Sequence, residues 1–533
     1  MTPRLFAIPT VFAFAVILGV TALNLSTAAI YGTQFEGDVI HLMDIVLRMA
    51  VGELPHLDFM TPIGILAFAP ISIFVATGVE PGHSVFLGQA VVAVALTPLV
   101  VWVAVSRFDG WLRLIYVAVV LVFALGLVQG TASPQVSLSM HYNRWGWALA
   151  FVALPCAMLP SRRHHGLADA LAIALPLAAL ILLKATFAIA LIPGIVALLL
   201  GRRQYKCLAL GLGIGTFALA GFTLWSGLEY WFAYSDDLLA TAGSASRAYP
   251  GLPIDKMIVA PDHLVGHAAI LASIILLRRI GDRVLGLGLL LLVPGFVYIT
   301  WQNFENDPVW TAIAGIVLLA SSGQSARPNQ GLVIAAVVLL GVSAPSVVNI
   351  AYSPIRNASA DPAEYTELIP GHHDLLTLEF RARRMDLRVY GTEQGSADFS
   401  FADIGADLQG GAEARCTLEL GLARWLGLAA EELETTGFGQ KRVLVADLIG
   451  PLWLFSTDFP RLAGSAPWVY GGAPGLDMAE MLLVPTCPTS RATQTMMLEF
   501  LANAGYALER LHETDRYALY DLRPDQPIAA NVK

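Results

Sequence analysis

The sequence predicts an α-helical polytopic membrane protein that ends in an extracytoplasmic α/β domain. Three observations carry that expectation. Hydrophobic residues make up 56% of the 533-residue chain, and the mean hydropathy is +0.64, a composition that soluble domains rarely reach. Apolar runs of about 18–25 residues recur, the length needed to cross a hydrocarbon core of about 30 Å. Charged residues are only 14% of the total and cluster between the runs.

The charge is unevenly spread. From Ala351 onward there are 25 acidic and 15 basic residues, against 16 and 17 before it. The net charge of −9 therefore belongs to the C-terminal part, which argues against nucleic acid as a partner. No GxxxxGK[ST] motif occurs, which argues against an ATP-driven pump.

The start, MTPRLFAIPTVFAFAVILGVTAL, has one Arg, then a long apolar run without a small-residue cleavage site. It reads as a retained first span (about residues 5–30) that begins inside. Further runs lie at about 62–79, 84–106, 111–130, 144–160, 205–227, 263–280, 284–300, 308–322 and 331–350. A longer run, about 168–201, would measure roughly 50 Å as one helix. It is expected to break into two short helices with Lys184 near the outer turn.

Arg162-Arg163, Arg202-Arg203 with Lys206, Arg278-Arg279 with Arg283, and Arg327 read as cytoplasmic. The loop 228–262, the turn near Asn306 and the tail from 351 then face outside. About 11–13 spans are expected. Twelve runs conflict with an inside start and an outside end, so one segment between Thr61 and Pro160 is misread or only partly crosses. The division is thus a transmembrane module over 1–350, with a first outer loop at 31–61, and an α/β domain over 351–533. In that domain QKRVLVADLIG and EMLLVPTCP read as strands. SRATQTMMLEFLANAGY reads as a helix capped by Ser490 and stopped at Gly505. ALERLHETDRYALYDLRP reads as two strands joined by a turn. Cys156 and Cys207 read as inert packing residues. Cys416 and Cys487 lie in the outer part and could pair, but spacing alone does not give their distance.

The loop Tyr31 to Gly64, YGTQFEGDVIHLMDIVLRMAVGELPHLDFMTPIG, holds most of the chemistry. It carries Glu36, Asp38, His41, Asp44, Arg48, Glu53, His56 and Asp58, far more than a connector needs. It reads as an amphipathic helix (about 38–51) on the membrane surface, followed by a Pro-anchored turn. Arg48 and Asp44, at i, i+4 spacing, read as a salt-bridged surface pair. A solvated loop is the bland alternative.

Here the chain resembles the GT-C membrane glycosyltransferases, among them protein O-mannosyltransferases and lipid A aminoarabinose transferases. These carry an acidic motif in the first outer loop, a surface helix, and a G-x-x-P-[YH]-x-D-F-like turn leading into a P-x-G helix start. The matching residues are Asp38, Gly52, Pro55, His56, Asp58, Phe59, Pro62 and Gly64. The detailed likeness covers about 35 residues, and the layout covers the whole chain.

The resemblance implies a sugar donor on a polyprenyl phosphate and a loop carboxylate acting as general base. That role maps onto Asp38, with Glu36 as the second acid, because Gly37 splits the adjacent pair usual in the family. A phosphate leaves without a protonated acid, so one carboxylate suffices for the acceptor proton, and cations stabilise the leaving group. The expected donor-phosphate residues are Lys184, Arg144 and His41. Expected acceptor or cavity residues are His56, Asp58, His141, Asn303, Asn306 and Asp307. Each has a plainer reading: a lysine reaching to the interface, an aromatic-flanked arginine at the membrane surface, a simple turn at Asn-Asp-Pro.

No acid cluster asserts a metal, and a divalent cation is left open. The expectation is an inverting glycosyltransferase of the cell envelope, in a bacterial inner membrane with its C-terminal domain in the periplasm. It would take a polyprenyl-phosphate-linked sugar and a lipid, glycan or protein acceptor. A lipid-linked sugar flippase or transporter, or a non-catalytic scaffold of envelope glycan assembly, are the rival readings.

Overall fold

The computed structural model describes residues 3–163, 165–244, 253–303, 307–323, 329–390 and 415–524. The chain divides into two compact units. One comprises Met1–Ile30, Ile63–Leu228 and Tyr249–Ala360, the other Tyr31–Pro62, Glu229–Ala248 and Asp361–Lys533.

The first unit is helical. Six of its helices are long and apolar enough to cross a membrane: Leu5–Leu25 (within a helix from Pro3), Pro81–Arg107, Gly166–Leu183, Tyr205–Ser226, Arg283–Trp301 and Gln330–Ala358. Leu112–Leu125, Ala185–Gly201 and Trp310–Ser322 are shorter apolar helices, and His141–Met158 and Pro261–Arg279 are two further long helices of the unit. This is compatible with an integral membrane protein.

The run at 62–79 is not one continuous helix. It forms a single 3-10 turn, Ile65–Ala67, and the eight-residue helix Ala69–Ala76. Eight residues span roughly 12 Å, well short of a crossing. Without it, eleven helices of 13 to 29 residues remain among the described residues of this unit. Gly64 explains the approach of this segment to its neighbour. A Cβ at Gly64 would lie 2.1 Å from the Leu182 carbonyl oxygen. Its own N–H donates to Leu183 O at 3.0 Å, satisfying a carbonyl at the end of Gly166–Leu183. Only glycine permits that approach.

The long run 168–201 does break at Lys184. Its backbone is extended there (φ −161°, ψ 101°), between Gly166–Leu183 and Ala185–Gly201. The expected boundary at 350 is too early. The last helix continues to Ala358, because its polar end is hydrogen-bonded within the unit. Asn349 donates to Thr131 O and Ser133 O, both at 2.8 Å, and Arg356 donates to Gln135 O at 2.8 Å.

The second unit is mixed α/β. A four-stranded sheet runs in the order Val443–Val445, Met481–Pro485, Tyr517–Pro524, Tyr506–Glu513. The first pair is parallel and the others are antiparallel. The helix Arg491–Asn503 begins at Ser490, whose Oγ accepts from Thr493 N, and stops at Gly505 (φ +74°). Leu444, Leu482, Met497 and Leu501 form the core between sheet and helix. A second helix, Leu422–Thr435, buries Trp425, Leu426, Ala429 and Leu433. It was not anticipated, although its apolar residues recur at helical spacing. Cys416 and Cys487 are disulfide-bonded, with Cα atoms 4.9 Å apart, which closes the question that spacing left open.

Asp447 stands just beyond the parallel edge strand and is buried. It accepts from Leu448 N (2.7 Å), Thr489 N (2.7 Å), Thr489 Oγ1 (2.8 Å) and Ser490 N (3.0 Å). Burial nonetheless outweighs those bonds and pushes its carboxyl up to about 6. The folded state therefore holds this proton more tightly than the unfolded chain. The associated stability is complete below the ordinary carboxylate pKa of about 4 and is lost as pH rises through about 6. Amide-exchange protection of Arg491–Asn503 is expected to fall over that window. Asp447→Asn, measured in parallel, is expected to flatten the dependence.

Candidate functional site

The loop helix of the second unit runs Glu36–Ala50. Glu36 and Asp38 lie in its first turn, where negative charge suits the helix dipole. The two acids differ. Glu36 is gripped by Arg381 through Nε and Nη2, the latter at 3.0 Å. Asp38 is half-buried, and its N–H donates to Phe35 O at 3.1 Å.

The polar stripe of this helix is buried, which corrects the expectation of a surface pair. Arg48 Nε meets Asp44 Oδ1 at 2.7 Å, with the two side chains 1% and 2% exposed. Arg48 Nη2 donates to Ser465 Oγ at 2.7 Å, and Trp453 Nε1 to Asp44 Oδ1 at 3.1 Å. Arg461 pairs with Glu53 at 2.6 Å. His41 is buried, edge-on to Trp468 with ring centroids 5.4 Å apart. The stripe thus joins the loop helix to the 453–468 segment of the same unit. Nothing in the local sequence of the helix pointed to those partners.

In the turn that follows, Asp58 Oδ2 accepts from Leu54 N at 2.7 Å, and Asp58 N–H donates to Leu54 O at 2.9 Å. That carboxylate closes the turn and is exposed. His56 takes φ +72°, a conformation uncommon for a residue with a side chain. Its Nδ1 lies 2.7 Å from Asp237 Oδ2, and Asp237 also accepts from Thr61 N at 3.0 Å. The imidazole stacks on Tyr234 (4.3 Å) and meets Tyr230 edge-on (5.0 Å). Burial lowers the His56 pKa against the raising effect of Asp237. Tyr230, Tyr234 and Asp237 share one face of Glu229–Ala242 at i, i+4, i+7 spacing, a legible stripe that was overlooked. Asp237→Ala is expected to strip partners from His56 and from the Thr61 N–H. The cost is about 1–3 kcal/mol for each buried group left unpaired, read as earlier thermal unfolding and faster amide exchange in 54–61.

The first unit holds the other candidates. Lys184 Nζ donates to Asn143 Oδ1 at 2.9 Å and to Asn303 Oδ1 at 2.7 Å, and lies 5.2 Å from the centre of the Tyr142 ring. Asn303 was expected to hold acceptor hydroxyls, and here it holds the lysine. Arg144 is 1% exposed, buried among the helices of this unit. Its Nη1 donates to Phe123 O at 3.1 Å, at the C-terminal end of Leu112–Leu125. Its Nε and Nη2 are buried without a hydrogen-bond partner among the described residues. His141 Nε2 contacts Ala67 O at 2.8 Å. Asp307 accepts from Ala132 N at 2.9 Å and from Ser346 Oγ, and its N–H donates to Gly130 O at 2.7 Å. Asn306 lies outside the described residues.

Glu36, Asp38, His41, His56 and Asp58 therefore fall in the second unit, and Arg144, His141, Lys184, Asn303 and Asp307 in the first. Asn143 was missed, although it precedes Arg144 in the chain. Among the described residues, no group of three or more His, Cys, Asp or Glu side chains converges as a metal site would require. No family model matches the chain, and no curated protein or solved structure is significantly similar to it.

Proposed function

We propose that this protein is an integral membrane glycosyltransferase of the GT-C type that takes its sugar from a polyprenyl-phosphate donor. One observation carries the reading: Arg144, a buried guanidinium with two nitrogens lacking hydrogen-bond partners among the described residues, on the helix that also supplies Asn143 to Lys184. Isolated charge in a membrane interior is costly and marks a functional site by default. Two cations point to an anionic ligand, and a guanidinium fork suits a phosphate.

In this reading an acceptor hydroxyl attacks the anomeric carbon of the sugar. A carbon–oxygen bond forms there as the bond to the phosphate oxygen breaks. Asp38 takes the hydroxyl proton, and the bonding electrons leave with the polyprenyl phosphate. Lys184 and Arg144 stabilise its developing charge. A single displacement inverts the anomeric centre. Glu36, held by Arg381, is assigned a structural part. The disulfide between Cys416 and Cys487 supports an oxidising compartment for the second unit, as a periplasmic domain would have.

The test is mass spectrometry of envelope glycans and glycolipids in a strain lacking the protein. One sugar substituent should disappear, return with the wild-type chain, and stay absent with Asp38→Asn. A lipid-linked sugar flippase or a scaffold would be restored equally by both.

A further inference from the structure

The orientation of the Asn143 amide follows from its partner. A lysine ammonium only donates, so the atoms facing Lys184 Nζ are the Oδ1 oxygens of Asn143 and Asn303. Asn143 Nδ2 therefore has to find another acceptor. Asn143 is 2% exposed, and its Nδ2 has no hydrogen-bond partner among the described residues. Arg144 Nε and Nη2 are in the same state. Three buried donor nitrogens on two consecutive residues thus lack acceptors, where most buried donors are paired. They belong to the first turn of His141–Met158, the positive end of that helix. The choice of residues matters too. Two carboxamides hold the ammonium without adding negative charge. A carboxylate at either position would make a stronger pair with Lys184 and cancel its attraction for an anion.

We propose that Asn143 is a further ligand of the donor phosphate, and that Asn303 is a positioning residue for Lys184. Asn143 Oδ1 holds the ammonium while Nδ2 donates to a phosphate oxygen. Asn303 fixes the ammonium from the opposite helix, Arg283–Trp301, just beyond whose end it lies. This inference rests on the phosphate reading of Lys184 and Arg144.

Stability and binding should move in opposite directions. In the full-length protein in lipid nanodiscs, Asn143→Asp and Asn303→Asp give Lys184 a carboxylate partner. Thermal unfolding should stay unchanged or shift upward. Affinity for farnesyl phosphate should fall about 10-fold or more, the scale of one hydrogen bond to a charged group. Binding of farnesol, which has the same tail without the anion, should not change. Inorganic phosphate, titrated alone, shows whether the headgroup suffices or the lipid is required. A merely structural role for the two carboxamides would instead leave farnesyl phosphate affinity at the wild-type level in both variants. If Lys184→Ala loses binding while both Asp variants keep it, this inference is wrong and the phosphate reading stands. If the wild type does not prefer farnesyl phosphate to farnesol, both fall. Should Asn143→Asp not fold, Asn143→Leu removes Nδ2 without adding charge, and wild-type affinity in that variant overturns the assignment.

Discussion

Replacing Asp38 by Asn is expected to leave the protein folded and to lower turnover by about 10²–10⁴, the usual contribution of a positioned general base. The substitution keeps size and polarity in the first turn of Glu36–Ala50. It removes one favourable charge at a helix N-terminus, a loss of about 0.3–1 kcal/mol. Binding of a polyprenyl phosphate without sugar should be unchanged, because Asp38 is assigned to the acceptor proton. Glu36→Gln is the informative partner experiment. Glu36 accepts both Nε and Nη2 of Arg381, so its replacement should lower the unfolding temperature and spare most of the turnover. If Glu36→Gln abolishes turnover in folded protein while Asp38→Asn does not, the two roles are reversed.

Replacing Arg144 by Gln carries the second large effect. One preorganised donor to developing charge is worth about 10²–10³ in rate, and kcat/KM should fall by that factor. Stability should not fall with it. The guanidinium is buried with two nitrogens unpartnered among the described residues, an arrangement that destabilises the ligand-free fold. Glutamine is shorter and gives up the bond to Phe123 O, but it also removes the buried charge. Unchanged or raised thermal stability together with lost activity is the pattern of a residue kept for its ligand. Parallel losses of both would mark Arg144 as a structural cap for Leu112–Leu125.

The parts legible in the sequence were those set by local chemistry. Ser490 and Gly505 bracket Arg491–Asn503 because capping and left-handed termination depend on single residues. The break at Lys184 followed from the length of one run against membrane thickness. Other features depend on distant partners. The Glu36–Ala50 helix looked amphipathic because of Asp44 and Arg48, and the residues that bury them, Trp453 and Ser465, lie about 400 positions away. The 62–79 run passed as a span because composition does not show that its helix ends at Ala76. Asp237 sits in an ordinary Ser-Asp-Asp stretch, and its contacts with His56 and the Thr61 N–H, distant in sequence, are what mark it out. Asn143 was passed over because a neutral side chain draws attention only once the lysine it holds is in view.

The most direct measurement uses purified protein in proteoliposomes with a radiolabelled polyprenyl-phosphate sugar and a membrane extract as the source of acceptor. The expected result is release of polyprenyl phosphate and an inverted glycosidic product from the wild type, with neither from Asp38→Asn, although that variant still binds polyprenyl phosphate. Equal release from both proteins, or donor lipid crossing the bilayer with its sugar still attached, would contradict the account.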